Sequence, residues 1–146
     1  MKAKVLIMSV LLAICGSIAA QDAAIAPAEL EFSERVHDFG SIQEENGKVT
    51  HVFEFTNTGN APFTLTNVRA SCGCTTPEWP KEPIAPGKSG YIKVTYNPSG
   101  RPGNFNKSVT ITYTVLGSPD SKQQIINIKG QVIPKPRPEA EEGAAQ

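Results

Sequence analysis

Two cysteines separated by a single glycine are the residues of this chain best suited to chemistry. Cys72, Gly73 and Cys74 lie in the stretch RASCGCTTPEWP (residues 69–80), which also contains the single tryptophan, Trp79. Two thiolates at this spacing could bind Cu(I), because a soft ion prefers sulfur ligands. They could instead form a redox pair, although redox motifs normally have two residues between their cysteines.

A local disulfide is the simpler interpretation of the Cys-Gly-Cys motif, and we favour it. In an extended strand, side chains i and i+2 share a face, but their Cβ atoms lie further apart than the roughly 3.5–4.5 Å that a disulfide needs. Gly73 permits a kink that would close this gap. We therefore predict a disulfide or an inert thiol pair at Cys72 and Cys74. Trp79 is a candidate contact residue, or else a plug at one end of the domain.

The other polar residues do not form a recognisable catalytic or metal-binding set. His37 and His51 are distant in sequence and lack the close spacing typical of metal sites, so we interpret each as a half-buried strand residue. The sequence contains no Gly-x-Ser-x-Gly motif and no phosphate-binding loop. We predict no catalytic residues, no metal site, no cofactor and no enzyme activity.

The first 19 residues have the layout of a secretory signal peptide. The basic start MKAK precedes an apolar run from Val5 to Ile14 and then small residues up to Ala20. The run is shorter than the roughly 20 residues that span a bilayer. We expect cleavage after Ala19 and export to the periplasm or the medium. The alternative is a lipoprotein signal with an acylated Cys15, which would make an outer-membrane lipoprotein.

Charge and length narrow the classes of protein that the exported chain could belong to. Loss of residues 1–19 removes two of the 14 basic residues and none of the 14 acidic ones, which leaves a net charge of about −2. A chain this close to neutral, without a basic block, is poorly suited to nucleic acid. Its length allows one domain with a substantial core. Cys72 and Cys74 are its remaining cysteines, in a compartment where disulfides persist.

Short segments of alternating apolar and polar residues fill residues 30–133. The clearest runs from Lys48 to Asn57, where Val49, His51, Phe53 and Phe55 share one face. With Gly, Pro and Asn turns between segments, this pattern predicts an all-β, immunoglobulin-like antiparallel β-sandwich of about seven strands. The predicted core includes Phe53, Phe55, Val94, Ile111 and Ile128.

The remaining segments are predicted to be irregular. Four prolines between residues 77 and 86 indicate a loop or an irregular edge crossing, because each proline removes a backbone donor from a ladder. Residues 20–29 form a lead-in without a strong pattern. Residues 134–146 are rich in Pro, Ala and acidic residues, and we expect a disordered tail there.

Four motifs, in order along the chain, resemble the bacterial family called domain of unknown function 1573 (DUF1573). They are HDFG (37–40), HVFEFTNTG (51–59), SCGCT (71–75) and IAPG (84–87). The resemblance extends from about Leu30 to Ile133. It implies an exported immunoglobulin-like domain, related in architecture to the β modules of sperm and flagellar proteins. It implies no enzymatic activity.

The favoured hypothesis is an exported, non-enzymatic interaction or structural module of the bacterial cell envelope. Sandwich loops and exposed sheet edges are suitable surfaces for another envelope protein. The alternative is a Cu(I)-binding or redox protein centred on Cys72 and Cys74. A third hypothesis is a chaperone-like sandwich that lends an edge strand to a client. We expect neither a nucleic-acid partner nor a membrane span.

Overall fold

The computed structural model describes residues 30–136 of the 146-residue chain. The predicted signal peptide, the lead-in and residues 137–146 of the predicted tail lie outside the described residues. A short 3-10 helix, Glu44–Asn46, follows the second strand. The strands are β1 (Leu30–Phe32), β2 (Val36–Gln43), β3 (Val49–Asn57), β4 (Phe63–Ala70), β5 (Thr75–Glu78), β6 (Ser89–Tyr96), β7 (Gly103–Val115) and β8 (Ser121–Ile133).

The strands form two four-stranded sheets, which we call the first and second sheets. The first sheet has the order β1-β3-β6-β5, and the second has the order β2-β8-β7-β4. Each strand turns alternate side chains inward, so the apolar set of every strand faces the opposite sheet. The prediction of an all-β, immunoglobulin-like sandwich is confirmed.

The core between the sheets contains the residues that the alternation predicted. Phe53, Phe55, Val94, Ile111 and Ile128 are all at most 1% exposed. Aromatic rings connect the two layers: Phe55 of β3 packs 6.1 Å from Phe63 of β4, measured between ring centroids. Phe63 in turn lies 5.2 Å from Tyr113 of β7. The faces of the strands were therefore assigned correctly from the sequence.

The topology differs from the prediction in strand number and in one pairing. The described residues contain eight strands, and β2 runs parallel to β8, with Val36 opposite Asn127 and Gln43 opposite Ile133. The other named pairs are antiparallel. Alternation along a strand reports which face is buried, but it carries no information on the direction of a distant neighbour.

The proline-rich stretch begins with a strand rather than with a loop. Pro77 lies within β5, opposite Val94 of β6. β5 is an edge strand, which is where a residue without a backbone N–H is tolerated in a sheet. Beyond Glu78 the chain is irregular until Ile84, which exchanges two backbone hydrogen bonds with Phe63 (3.2 and 2.8 Å).

The four strands at the sheet edges are all short or irregular. β1 has three residues and β5 has four, and β5 also contains Pro77. The register of β2 shifts between Asp38 and Ser41, and that of β4 shifts between Leu65 and Asn67. Bulges, prolines and short edges all hinder the addition of a further strand. The edges are therefore less suitable than the loops for binding a partner.

Candidate functional site

The Cys-Gly-Cys motif forms the corner where the chain passes from the second sheet to the first. It lies between β4 and β5, and the N–H of Thr75 donates to the carbonyl of Cys72 (3.3 Å) across the turn. The N–H of Asn97 donates to the carbonyl of Cys74 (2.9 Å), and the N–H of Ser71 donates to the neighbouring β7. Both ends of the corner are therefore anchored to strands.

In the structure the corner is closed by a disulfide. The sulfur atoms of Cys72 and Cys74 are joined, and their Cα atoms lie 5.4 Å apart. Cys74 is buried and Cys72 is half-buried. A bond across one intervening residue stiffens the corner but does not connect the two sheets, because both cysteines belong to the same turn. In this state neither sulfur is a thiolate that could bind Cu(I).

Gly73 is not required at the corner for steric reasons. Its φ lies outside the positive range that favours glycine, and a Cβ built at this position meets no atom within 4 Å. The bend of the chain, rather than the absence of a side chain at Gly73, brings the two sulfurs together. Sequence reasoning therefore overestimated the role of this glycine.

We predict that protein isolated from an oxidising compartment carries the Cys72–Cys74 bond and no stoichiometric copper. Intact mass should show no alkylation without reductant and two added groups after reduction. Because the closed loop is so short, reduction should lower the free energy of unfolding by at most about 1–2 kcal/mol. Two thiols that react rapidly without reductant would contradict the prediction. About one copper per chain, lost in Cys74→Ser, would support the Cu(I) alternative instead.

Trp79 directly follows β5, at the opposite end of that strand from the cysteine corner, and is partly buried against the core. Its indole Nε1 is buried and makes no hydrogen bond with the described residues. The ammonium group of Lys81 covers the ring at 3.2 Å from the centroid, in a cation–π contact. The ring is partly buried and partly covered by Lys81, so both of its predicted roles, contact residue and plug, stay predictions.

A cleft of about 230 Å³ opens beside the disulfide. Glu78 at its rim accepts a hydrogen bond from Lys93 (2.8 Å), which raises the pKa of Lys93 above its usual value. Both groups are well exposed, so the pair contributes little to stability. The cysteine in the lining, Cys74, is bonded to Cys72 and offers no free thiol to the cleft. The residues that line the cleft are Lys48, Gly73, Cys74, Thr76, Glu78, Thr95 and Asn97.

Sequence reasoning missed a second group of polar residues, the Glu34–His37–His51 cluster. Glu34 lies in the loop between β1 and β2, His37 in β2 and His51 in β3. The two carboxylate oxygens of Glu34 lie 3.4 Å from His37 Nδ1 and 3.4 Å from His51 Nε2. Each histidine is half-buried, as predicted, but their rings also stack on each other, with centroids 3.4 Å apart and planes at 6°.

Burial affects the protonation of His51, one member of this cluster. It lowers the pKa of His51 below the usual value of 6.5, and the neighbouring His37 lowers it further, whereas Glu34 raises it. His51 is therefore mainly neutral at neutral pH. Both histidines lie at inward positions of their strands, and this signal could have revealed the cluster, because inward residues of the two sheets can meet.

A third feature, which we call the Leu116 groove, lies at the end of the sandwich where β7 turns into β8. It is a cleft of about 410 Å³. Leu116 is 74% exposed, although its backbone is fixed by a hydrogen bond from its N–H to the carbonyl of Pro62 (2.8 Å). The lining is mainly uncharged and includes Pro62, Thr64, Pro83, Thr114, Val115 and Leu116.

The fold and the disulfide-bonded corner define an immunoglobulin-like β-sandwich protein. The family model described as "Protein of unknown function (DUF1573)" matches residues 30–132, and the chain belongs to this family. None of the curated proteins matches the sequence.

Several solved structures are similar to this chain in fold. The VesB protease of Vibrio cholerae is 19% identical with a TM-score of 0.59, and the match covers 70% of this chain and 31% of VesB. A protein of unknown function from Porphyromonas gingivalis W83 is 17% identical with a TM-score of 0.59, covering 74% and 48%. The Escherichia coli chaperone DraB is 13% identical with a TM-score of 0.51, covering 82% and 63%.

These similarities concern the fold alone. This chain spans about a third of the length of VesB and about half of that of the Porphyromonas protein. Between residues 30 and 136, no helix is long and apolar enough to cross a membrane.

Proposed function

We propose that this protein is an exported, non-enzymatic binding module of the bacterial cell envelope that contacts another envelope protein through the Leu116 groove. The observation that carries the proposal is an exposed leucine on a fixed backbone beside an uncharged cleft. Family membership and the chaperone-like fold are consistent with protein binding, and the predicted signal peptide supports an envelope location.

Leu116 occupies a turn position where polar residues are the usual choice. The turn is closed by the N–H of Ser118, which donates to the carbonyl of Val115 (3.0 Å), and Gly117 has a positive φ of 87°. A large apolar side chain contributes little to folding at such a position. Its burial by a partner would contribute about 1.5–3 kcal/mol to binding. Since the backbone is already ordered, little entropy is lost when the partner binds.

The chemistry of the groove favours an apolar side chain of a protein as its ligand. Its lining residues, among those the structure describes, carry no charge, so it offers no counter-ion for a phosphate or a carboxylate. Its volume of about 410 Å³ suits one or two side chains rather than a whole helix. The irregular sheet edges make strand addition the less favoured mode of binding.

Site-specific photo-crosslinking in the native host tests this proposal. A photoreactive residue at position 116 should give one discrete protein adduct, and the same residue at Ile125 should not. Ile125 is a suitable control, because it is also apolar and 53% exposed but lies in β8 rather than in the turn. With the purified partner, Leu116→Asp should weaken binding at least about tenfold, which is 1.4 kcal/mol. Ile125→Asp should change it less than about twofold.

Two results would overturn the proposal. One is equal crosslinking at both positions, and the other is unchanged affinity of Leu116→Asp for the captured partner. The mass of the protein from the same cells tests the envelope location. A chain that begins near Ala20 or Gln21 supports cleavage of the signal peptide, whereas an acylated Cys15 would make the protein a membrane-anchored lipoprotein. Retention of residues 1–19 would contradict export by this signal.

A further inference from the structure

We propose that Glu34, His37 and His51 form a binding site for a divalent transition-metal ion of the zinc class. The three side chains come from a loop and two strands, and their potential ligand atoms all lie within 4.8 Å of one another. They lie at the side of the sandwich opposite the strand β5, so this site is separate from the disulfide corner.

The donor set fits zinc better than the hard cations. Two imidazole nitrogens and one carboxylate are a known combination of three protein ligands for Zn²⁺, with a water molecule as the fourth ligand. Calcium and magnesium prefer oxygen ligands alone. Among the residues that the structure describes, Glu34, His37 and His51 are the group of side chains placed to hold a metal ion. Neither cysteine belongs to this group.

Each histidine lies close to one oxygen of Glu34, at a separation typical of neighbouring ligands in a tetrahedral site. Ligand bonds of about 2.0–2.1 Å place neighbouring donor atoms of a tetrahedron roughly 3.3–3.4 Å apart. The two carboxylate oxygens lie 3.4 Å from the nearest nitrogens of His37 and His51. To hold one ion, the two histidines and one carboxylate oxygen, whose ligand atoms lie within 4.8 Å of one another, would have to draw closer by rotation of their side chains.

One change in the side chains is necessary. The lone pair of an imidazole nitrogen lies in the plane of its ring. The two rings are stacked with nearly parallel planes, and their centroids are 3.4 Å apart. A single ion cannot lie in both planes, so one ring has to turn about its Cβ–Cγ bond. The side chains of His37 and His51 are 26% and 22% exposed, which leaves room at the surface for this rotation.

An apolar ring packs edge-on against each histidine and shields part of it from water. Phe39 contacts His37 edge-on at 4.7 Å, and Phe53 contacts His51 in the same way at 4.7 Å. An apolar environment favours the neutral imidazole, which is the form that binds metal. Because the stack must open first, we expect a dissociation constant of about 1–10 µM, weaker than for a preorganised structural zinc site.

Because its two histidines belong to different sheets, the site could join the sheets when an ion is bound. His37 belongs to the second sheet and His51 to the first, so an ion bound to both would connect the two sheets at one side. A ligand that binds the folded state alone stabilises it in proportion to the logarithm of its concentration. At free zinc about 100 times the dissociation constant, we expect the melting temperature to rise by about 10 °C.

Titration calorimetry with Zn²⁺ and thermal unfolding test the proposal on the full chain without a histidine tag. We expect one zinc per chain at pH 7.5, and intense visible absorption when Co²⁺ replaces Zn²⁺, as four-coordinate sites give. Glu34→Gln, His37→Asn and His51→Asn should each weaken zinc binding at least about tenfold.

Glu54→Gln is the matched control. It also removes one carboxylate, and it lies in β3 like His51, but its side chain points to the exposed face. It should bind zinc within about twofold of the unchanged chain. Melting of each metal-free variant shows whether it is folded, so that lost binding is not mistaken for lost structure. The proposal is overturned if zinc binds more weakly than about 1 mM, or if folded variants of all three ligands retain the original affinity.

Discussion

Replacing Phe55 with alanine should lower the free energy of unfolding by about 3–5 kcal/mol. The ring is 1% exposed and contacts two further rings, those of Phe32 (5.7 Å between centroids) and Phe63 (6.1 Å). It also covers Gly90, the residue opposite it in β6, so closely that a Cβ there would lie 2.5 Å from the ring. A neighbourhood this closely packed cannot collapse to fill the cavity.

Denaturant titration of the unchanged chain and the variant measures this loss. Val52→Ala is the matched control, since Val52 lies in the same strand but is 44% exposed on the other face. It should cost less than about 0.5 kcal/mol. A loss below about 1 kcal/mol for Phe55→Ala would mean that the inward face of β3 is assigned incorrectly.

Replacing Asn57 with alanine should cost about 2–4 kcal/mol, because several hydrogen bonds are lost in a buried place. Asn57 is fully buried. Its side-chain nitrogen donates to the carbonyls of Ala61 and Ile84 (2.9 Å each). Its side-chain oxygen accepts from the N–H of Gly59 (3.0 Å). These bonds hold the turn after β3 against the irregular segment that follows β5.

Asn60→Ala is the control for this second prediction, because Asn60 lies in the same turn but is exposed. It should change the free energy of unfolding by less than about 0.5 kcal/mol. Asn57→Asp should also be strongly destabilising, since it keeps the acceptor but loses both donated bonds and introduces a charge. Equal stability of Asn57→Ala and Asn60→Ala in the same titration would refute this account of the turn.

The sequence was most informative where structure depends on neighbouring residues. The alternation in β3 and β7 identified the inward residues, including Phe55 and Ile111, because burial of one face is visible within a single strand. The four-motif resemblance gave the family. The parallel partner of β2 was not predictable in this way, because the pairing with β8 depends on contacts between the two ends of the domain.

The same limit explains what was missed among the candidate sites. His37 and His51 carry no spacing signal, and their contact arises only when β2 and β3 of different sheets come together. In the sequence, Leu116 resembles an ordinary apolar residue at the end of a strand. Its exposure depends on the turn that Gly117 permits, which the apolar pattern does not show. The cysteine corner was recognisable because its two sulfur atoms lie in one short segment.

The parallel pairing of β2 with β8 has a consequence for how the chain reaches its native state. In the second sheet, β2 bonds to β8 alone, and β8 is the last strand in the described sequence. A nascent chain that ends before residue 121 therefore has no place for β2, however much of the first sheet it can build. Closure of so long a loop is slow, and we expect folding in milliseconds to seconds only after β8 is available. Until then the second sheet lacks its β2 edge strand.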